Sequence, residues 1–131
     1  MKRIPPRLGG IVSAGISTAL LLGAAEPSAA TERDAELAAA ARDAAVVRVG
    51  RETYQGLCKS CHGEENAPGD SPSNLFDGKW FHGAQPAEIE AVVLKGVMEK
   101  GMPGWGEVLP PEDTLAVTAY LLSAQKPKPS S

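Results

Sequence analysis

Two thiols and an imidazole fall within five residues, Cys58-Lys59-Ser60-Cys61-His62. Cys58 and Cys61 are the only cysteines among 131 residues, so none is left for a disulfide framework once this run has used both. Three chemistries use a Cys-x-x-Cys pair: thiol–disulfide exchange, half of a zinc site, and covalent attachment of a haem. A thioredoxin-type exchange pair needs a βαβ setting, and no stretch of this chain alternates as a strand would. Zinc wants four ligands, and the soft donors available are Cys58, Cys61, His62 and His82, cramped because His62 abuts Cys61. The adjacent histidine fits the third chemistry. On a helix, residues three apart share a face, so both thiols can reach the two vinyl groups of one porphyrin. His62 then lies under the iron as an axial ligand. The expected cofactor is one covalently bound haem c, with Cys58 and Cys61 as anchors.

A second axial ligand must come from elsewhere. Met102 follows His62 by 40 residues in a loop and precedes Pro103. Met98 closes an amphipathic helix, where the ordinary role of a methionine is core packing. His82 sits in the loop Phe81-His82-Gly83, where a solvated surface histidine is the ordinary outcome. Met102 is the leading candidate, with Met98, His82 and an open site as the alternatives. Trp80 and Trp105 are candidate pocket walls, each with an indole N–H that wants an acceptor when buried.

The elements that must carry these residues read as helices. Val46, Val49, Gly50, Thr53, Tyr54 and Leu57 repeat at helical spacing and run into Cys58. Residues 63–83 hold the turn formers Pro68, Gly69, Asp70, Ser71, Pro72, Ser73 and Asn74 and read as loop. Pro86 opens a second helix with Glu88 and Glu90 near its positive end. Its stripe is Ile89, Val92, Val93, Gly96 and Val97, and it is predicted to end near Glu99 to Gly101. Pro110-Pro111-Glu112-Asp113 starts a last helix whose apolar surface is broad enough for contact on two sides. Residues 31–45 are Ala-rich and charged, with an apolar face that is mostly alanine, and read as a helical or flexible spacer. Residues 125–131 read as a disordered tail.

The chain starts with Lys2, Arg3 and Arg7, continues in an uncharged apolar run from Leu8 to Ala25, and then offers Ser28-Ala29-Ala30. That order reads as a secretory signal over residues 1–30. The rival reading is an uncleaved anchor, weakened by Gly9, Gly10, Gly15, Ser13 and Ser17. Without Lys2, Arg3, Arg7 and Glu26 the rest carries 10 basic and 15 acidic residues, a net charge of −5. This balance argues against a nucleic-acid partner. It suits a partner with a basic docking patch, or serves solubility alone.

Taken together, these pieces resemble a class I c-type cytochrome over about Val46 to Ala124. Four stretches carry the resemblance: Gly50 to Tyr54 feeding Cys58-Lys59-Ser60-Cys61-His62-Gly63; Asn74-Leu75 with Asp77-Gly78-Lys79-Trp80; Gly101-Met102-Pro103-Gly104-Trp105; and a terminal helix with Leu115, Tyr120 and Leu121. The stretch from Asn74 to Gly83, followed by Pro86-Ala87-Glu88-Ile89, is similar to bacterial cytochrome domains of oxidases and periplasmic dehydrogenases. The resemblance implies an all-α, cytochrome c-like domain at 46–124 wrapped around one haem. It implies thioethers at Cys58 and Cys61, His62 as proximal and Met102 as distal ligand, and crossing terminal helices with Gly50 at close approach. In the family a proline carbonyl before Asn-Leu accepts from the proximal histidine. Here Pro72-Ser73-Asn74-Leu75 is one residue longer, so Pro72, Ser71 and Ser73 are all candidates for the acceptor. The implied function is one-electron carriage in the periplasm between redox protein partners, with no group placed for catalysis. The alternatives are a haem subunit docked on a dehydrogenase or terminal oxidase, and a ligand-binding sensor or peroxidase-type haem protein.

Overall fold

A computed structural model describes residues 25–66 and 73–125, together with residues 9, 10 and 23. Most of the expected signal, the candidates Ser71 and Pro72, and residues 126–131 of the expected 125–131 tail lie outside the described residues, while Gln125 is held by the Leu75 and Leu121 carbonyls. Five α-helices are found among the described residues: α1 Ala29–Ala40, α2 Ala44–Thr53, α3 Lys59–His62, α4 Pro86–Lys95 and α5 Pro111–Ser123. Among the described residues there is no strand, only an isolated antiparallel bridge between Val97 and Met102. The all-α expectation holds.

Local chemistry sets the helix starts. Ser28 caps α1, its hydroxyl accepting from the Thr31 N–H at 3.3 Å. The Asp43 carboxylate caps α2 by accepting from Ala45 N–H at 2.9 Å and Val46 N–H at 3.3 Å. Prolines open α4 and α5, at first-turn positions where a missing N–H costs nothing. Glu88 folds back to accept from the Gln85 N–H at 3.0 Å.

The core is an α2–α5 crossing over an aromatic trio. Tyr54, Phe76 and Tyr120 are all essentially inaccessible, with ring centroids 5.2, 5.4 and 5.9 Å apart. Ile89, Val93, Val117 and Leu121 complete the cluster. The helix α5 lies against α1, α2 and α4 and is buried from Ala116 to Leu121, as its broad apolar surface requires. Two buried threonines survive inside it because Thr118 donates to the Thr114 carbonyl at 2.8 Å and Thr114 to that of Pro111 at 2.9 Å.

The Ala-rich segment differs from its spacer expectation. Within α1, Leu37 is fully buried, and α1 packs on α4 and α5. Arg33 grips the buried carboxylate of Glu90 through two nitrogens, Nε at 2.7 Å and Nη2, and also donates to Glu36 at 2.6 Å. The hydrogen bond to Glu90 leads the causes that raise the Arg33 pKa above its ordinary value. Asp34 accepts the Ala87 N–H at 2.7 Å and so caps the first turn of α4 from another helix. Leu37, Arg33 and Asp34 dock a face that alanine alone could not. Arg33→Ala leaves the Glu90 carboxylate buried without its cation. Because Arg33 is itself about a third exposed, the expected loss is about 1–3 kcal/mol, below that for a fully buried pair. Denaturant unfolding measures it, and a loss under about 0.5 kcal/mol, the range of neutral surface changes, would show that the pair holds nothing.

The helix α4 also stops earlier than its apolar stripe suggests. Gly96 adopts φ +72, so the helix ends at Lys95, and a short 3-10 turn covers Met98–Lys100. That break turns Met98 outward. It is 71% exposed, against the expectation that it packs in the core.

Candidate functional site

The motif is delivered by a change of helical register. After Thr53 the chain passes through a π-helical turn, Tyr54–Cys58, closed by the Lys59 N–H on the Tyr54 carbonyl, before α3 resumes. A π turn takes up an extra residue and re-aims the helix beyond it, a device frequent at functional sites. Cys58 is half-buried against the aromatic core and Cys61 is exposed; both are free thiols on one continuous helical stretch. Burial, and then the neighbouring Cys61, push the Cys58 thiol pKa up. The helix ends at Gly63, whose φ of +80 suits glycine and whose N–H returns to the Lys59 carbonyl at 2.8 Å.

The His62 ring is held by the backbone. Its Nδ1 lies 2.7 Å from the carbonyl oxygen of Ser73, which has no proton to give, so Nδ1–H donates. That leaves the Nε2 lone pair free for a metal and makes the ring a stronger donor. The one-residue-longer spelling of this loop thus puts Ser73 at the acceptor position. Three devices fix the loop. Asn74 Oδ1 accepts from Phe76 N–H at 2.9 Å, Phe76 itself is buried, and Gln125 from beyond α5 donates to the Leu75 carbonyl at 2.6 Å.

Met102 belongs to a separate element, a strap laid over the end of α4. Val97 and Met102 exchange both backbone hydrogen bonds, at 3.0 and 3.1 Å. Trp105 N–H and Gly106 N–H then cap the α4 carbonyls of Val93 and Leu94, at 2.9 and 3.1 Å. The approach is backbone on backbone. A Cβ on Gly96 would meet the main chain of Met102, Pro103 and Gly104 at 2.5 Å, and one on Gly104 would meet the Leu94 carbonyl at 2.7 Å. Trp80 and Trp105 pack on the same core cluster as Cys58, so both candidate walls and the motif share one apolar floor. His82 is exposed and lines an open depression of ≈ 280 Å³ with Glu88, Lys95 and Glu99. Among the described residues no three His, Cys, Asp or Glu side chains are grouped to hold a metal ion.

The donor set fits a haem. Two unpaired thiols and an imidazole with its outer nitrogen committed lie on one stretch. A thioether sits on a tethered strap. Sequence reasoning missed the π turn and two phenol contacts beyond the motif: Tyr54 Oη donates to the Gly63 carbonyl at 2.7 Å and Tyr120 Oη to Glu65 at 2.9 Å. The spacing of Tyr54 marked it as core, and nothing in the sequence marks the partner of its hydroxyl.

Comparison with known proteins agrees with this geometry. The family model described as Cytochrome C oxidase, cbb3-type, subunit III matches residues 45–121. The cbb3-type cytochrome c oxidase subunit FixP of Sinorhizobium medicae is 32% identical over 85 residues, 59% of this chain and 29% of that protein. The FixP subunit of Azorhizobium caulinodans is 35% identical over 88 residues, 63% of this chain and 29% of its own length. The chain therefore spans under a third of these curated relatives. No solved structure matches it. The matched residues take in α2, the motif, the strap and most of α5, well over half of the chain, and on that match the chain belongs to the family of cbb3-type cytochrome c oxidase subunit III, as a class I c-type cytochrome domain with a covalently attached haem c.

Proposed function

We propose that this domain relays single electrons as a haem subunit docked on a terminal oxidase of the cbb3 type, on the periplasmic side of the membrane. Cys58 and Cys61 would hold the haem through thioethers, and His62 and Met102 would serve as its iron ligands. The observation that carries the reading is the 2.7 Å contact between His62 Nδ1 and the Ser73 carbonyl, which commits one ring nitrogen and presents the other. Bound haem supplies a one-electron ferric/ferrous couple. The protein supplies what makes the couple useful. A thioether ligand favours the reduced state, and the apolar floor under Trp80 and Trp105 disfavours the extra charge of the oxidised one. The doubly hydrogen-bonded Val97–Met102 bridge keeps the strap in place through both states. The FixP relatives are oxidase subunits by name, which is why a docked subunit is preferred here over a freely diffusing carrier.

Affinity-tagged full-length chain, solubilised with mild detergent from its own membranes, is expected to carry a haem–copper oxidase subunit with it in stoichiometric amount. Recovery as a monomer in the periplasmic fraction, reduced and reoxidised by several unrelated partners, would instead establish the diffusing carrier. Among the described residues no helix is long and apolar enough to cross a membrane.

A further inference from the structure

The three residues that leave the motif, Gly63-Glu64-Glu65, are held from several directions. Tyr54 Oη donates to the Gly63 carbonyl at 2.7 Å. Tyr120 Oη donates to Glu65 Oε2 at 2.9 Å. Lys59 pairs with Glu64, and Arg51 lies 3.9 Å from Glu65 while its guanidinium sits 5.5 Å from the centre of the Tyr120 ring. The two phenols come from either side of the Gly50 crossing, since Tyr54 follows α2 directly and Tyr120 lies in α5. Both tyrosines are fully buried, their centroids are 5.4 Å apart, and each packs on Phe76. Their hydroxyls therefore sit on rigid ring platforms and act on a segment that begins one residue after His62.

We propose that Tyr54 and Tyr120 are positioning residues for His62: their hydroxyls clamp residues 63–65 to the helix crossing and so fix the orientation in which the imidazole meets the iron. The inference rests on the assignment of His62 as the proximal ligand. Ser73 holds the ring directly, and the two phenols hold the backbone that carries it. Burial raises the pKa of both phenols, that of Tyr120 to about 12, with its hydrogen bond to Glu65 the next cause. Each therefore remains a donor at neutral pH.

The test uses the full chain with its haem. Tyr54→Phe and Tyr120→Phe keep the aromatic trio and delete one hydroxyl each. Helix content by circular dichroism and haem staining on a denaturing gel should match the wild type. The ferric EPR envelope, which reports the imidazole orientation, should broaden or split in each variant. The ferric/ferrous balance at fixed potential should move threefold to tenfold toward ferric as the loosened segment admits water, a fall of up to about 59 mV for the tenfold case. The double variant should fall short of the product of the two effects, because both act on one segment. Folded single variants with the wild-type EPR envelope and potential would overturn the clamp. If either phenylalanine variant fails to fold, Glu65→Ala removes the Tyr120 acceptor outside the trio. The same EPR change then supports the clamp, and an unchanged envelope overturns it. A wild type without a covalent low-spin haem would instead sink the His62 assignment, and the clamp with it, before any variant is compared.

Discussion

Met102→Ala protein is expected to retain covalent haem, lose the low-spin His/Met spectrum, and show a reduction potential lower by at least about 59 mV, a tenfold shift of the one-electron balance. The proposed anchors, Cys58 and Cys61, lie on a different element from the strap, so attachment should not depend on it. The strap also survives the change. Its tethers are main-chain bonds, Val97 to Met102 and Trp105 and Gly106 to the end of α4, and alanine keeps every one of them. The variant therefore removes a sulfur and little else. With the thioether gone, the ferrous state would lose the ligand that favours it and the site would open to water, and both changes would lower the potential. Optical spectroscopy of both redox states reads the outcome. Survival of the low-spin spectrum and the potential would show that another residue is the ligand.

Gly50 is the second position where one atom decides a large effect. A Cβ built there would lie 1.9 Å from the Ala116 carbonyl oxygen and 2.8 Å from Tyr120 Cβ. Alanine in a helix interior gains about 1 kcal/mol over glycine from propensity. The overlap is with backbone, which has no rotamer to escape into, so α2 and α5 must separate along the crossing that holds the trio. Overpacking of this kind costs about 1–3 kcal/mol and sometimes more. Gly50→Ala should therefore be destabilised on balance, and Gly50→Val more strongly, because valine adds bulk and forfeits most of the propensity gain. Denaturant unfolding of the haem-loaded chain checks the sign. A Gly50→Ala protein as stable as the wild type would mean that the helices do not meet there.

Much of this was legible from residue types and spacing. Cys58, Cys61 and His62 announce their chemistry by adjacency, Pro86 and Pro111 mark helix starts, and Gly50 stands out as a small residue on an apolar face. The parts that were not legible depend on through-space partners. The α1 segment looked like a spacer because alanine dominates its face, yet its docking is carried by Leu37 and by the reach of Arg33 to Glu90, 57 residues away. The end of α4 followed the apolar stripe too far because Val97 continues the period while Gly96 breaks the backbone. The acceptor for His62 moved to Ser73 because the loop is one residue longer, and only its folded path says which carbonyl arrives. The π turn at Tyr54 leaves no pattern in the sequence, although it aims the motif.

A covalent haem held between His62 and Met102 must show itself in the redox-resolved optical spectrum of the purified full chain. The prediction is a low-spin ferrous spectrum of the c type and, in the ferric state, a weak methionine–iron band in the far red that Met102→Ala removes. A ferric spectrum that is high-spin, lacks that band and responds readily to added ligand would contradict it.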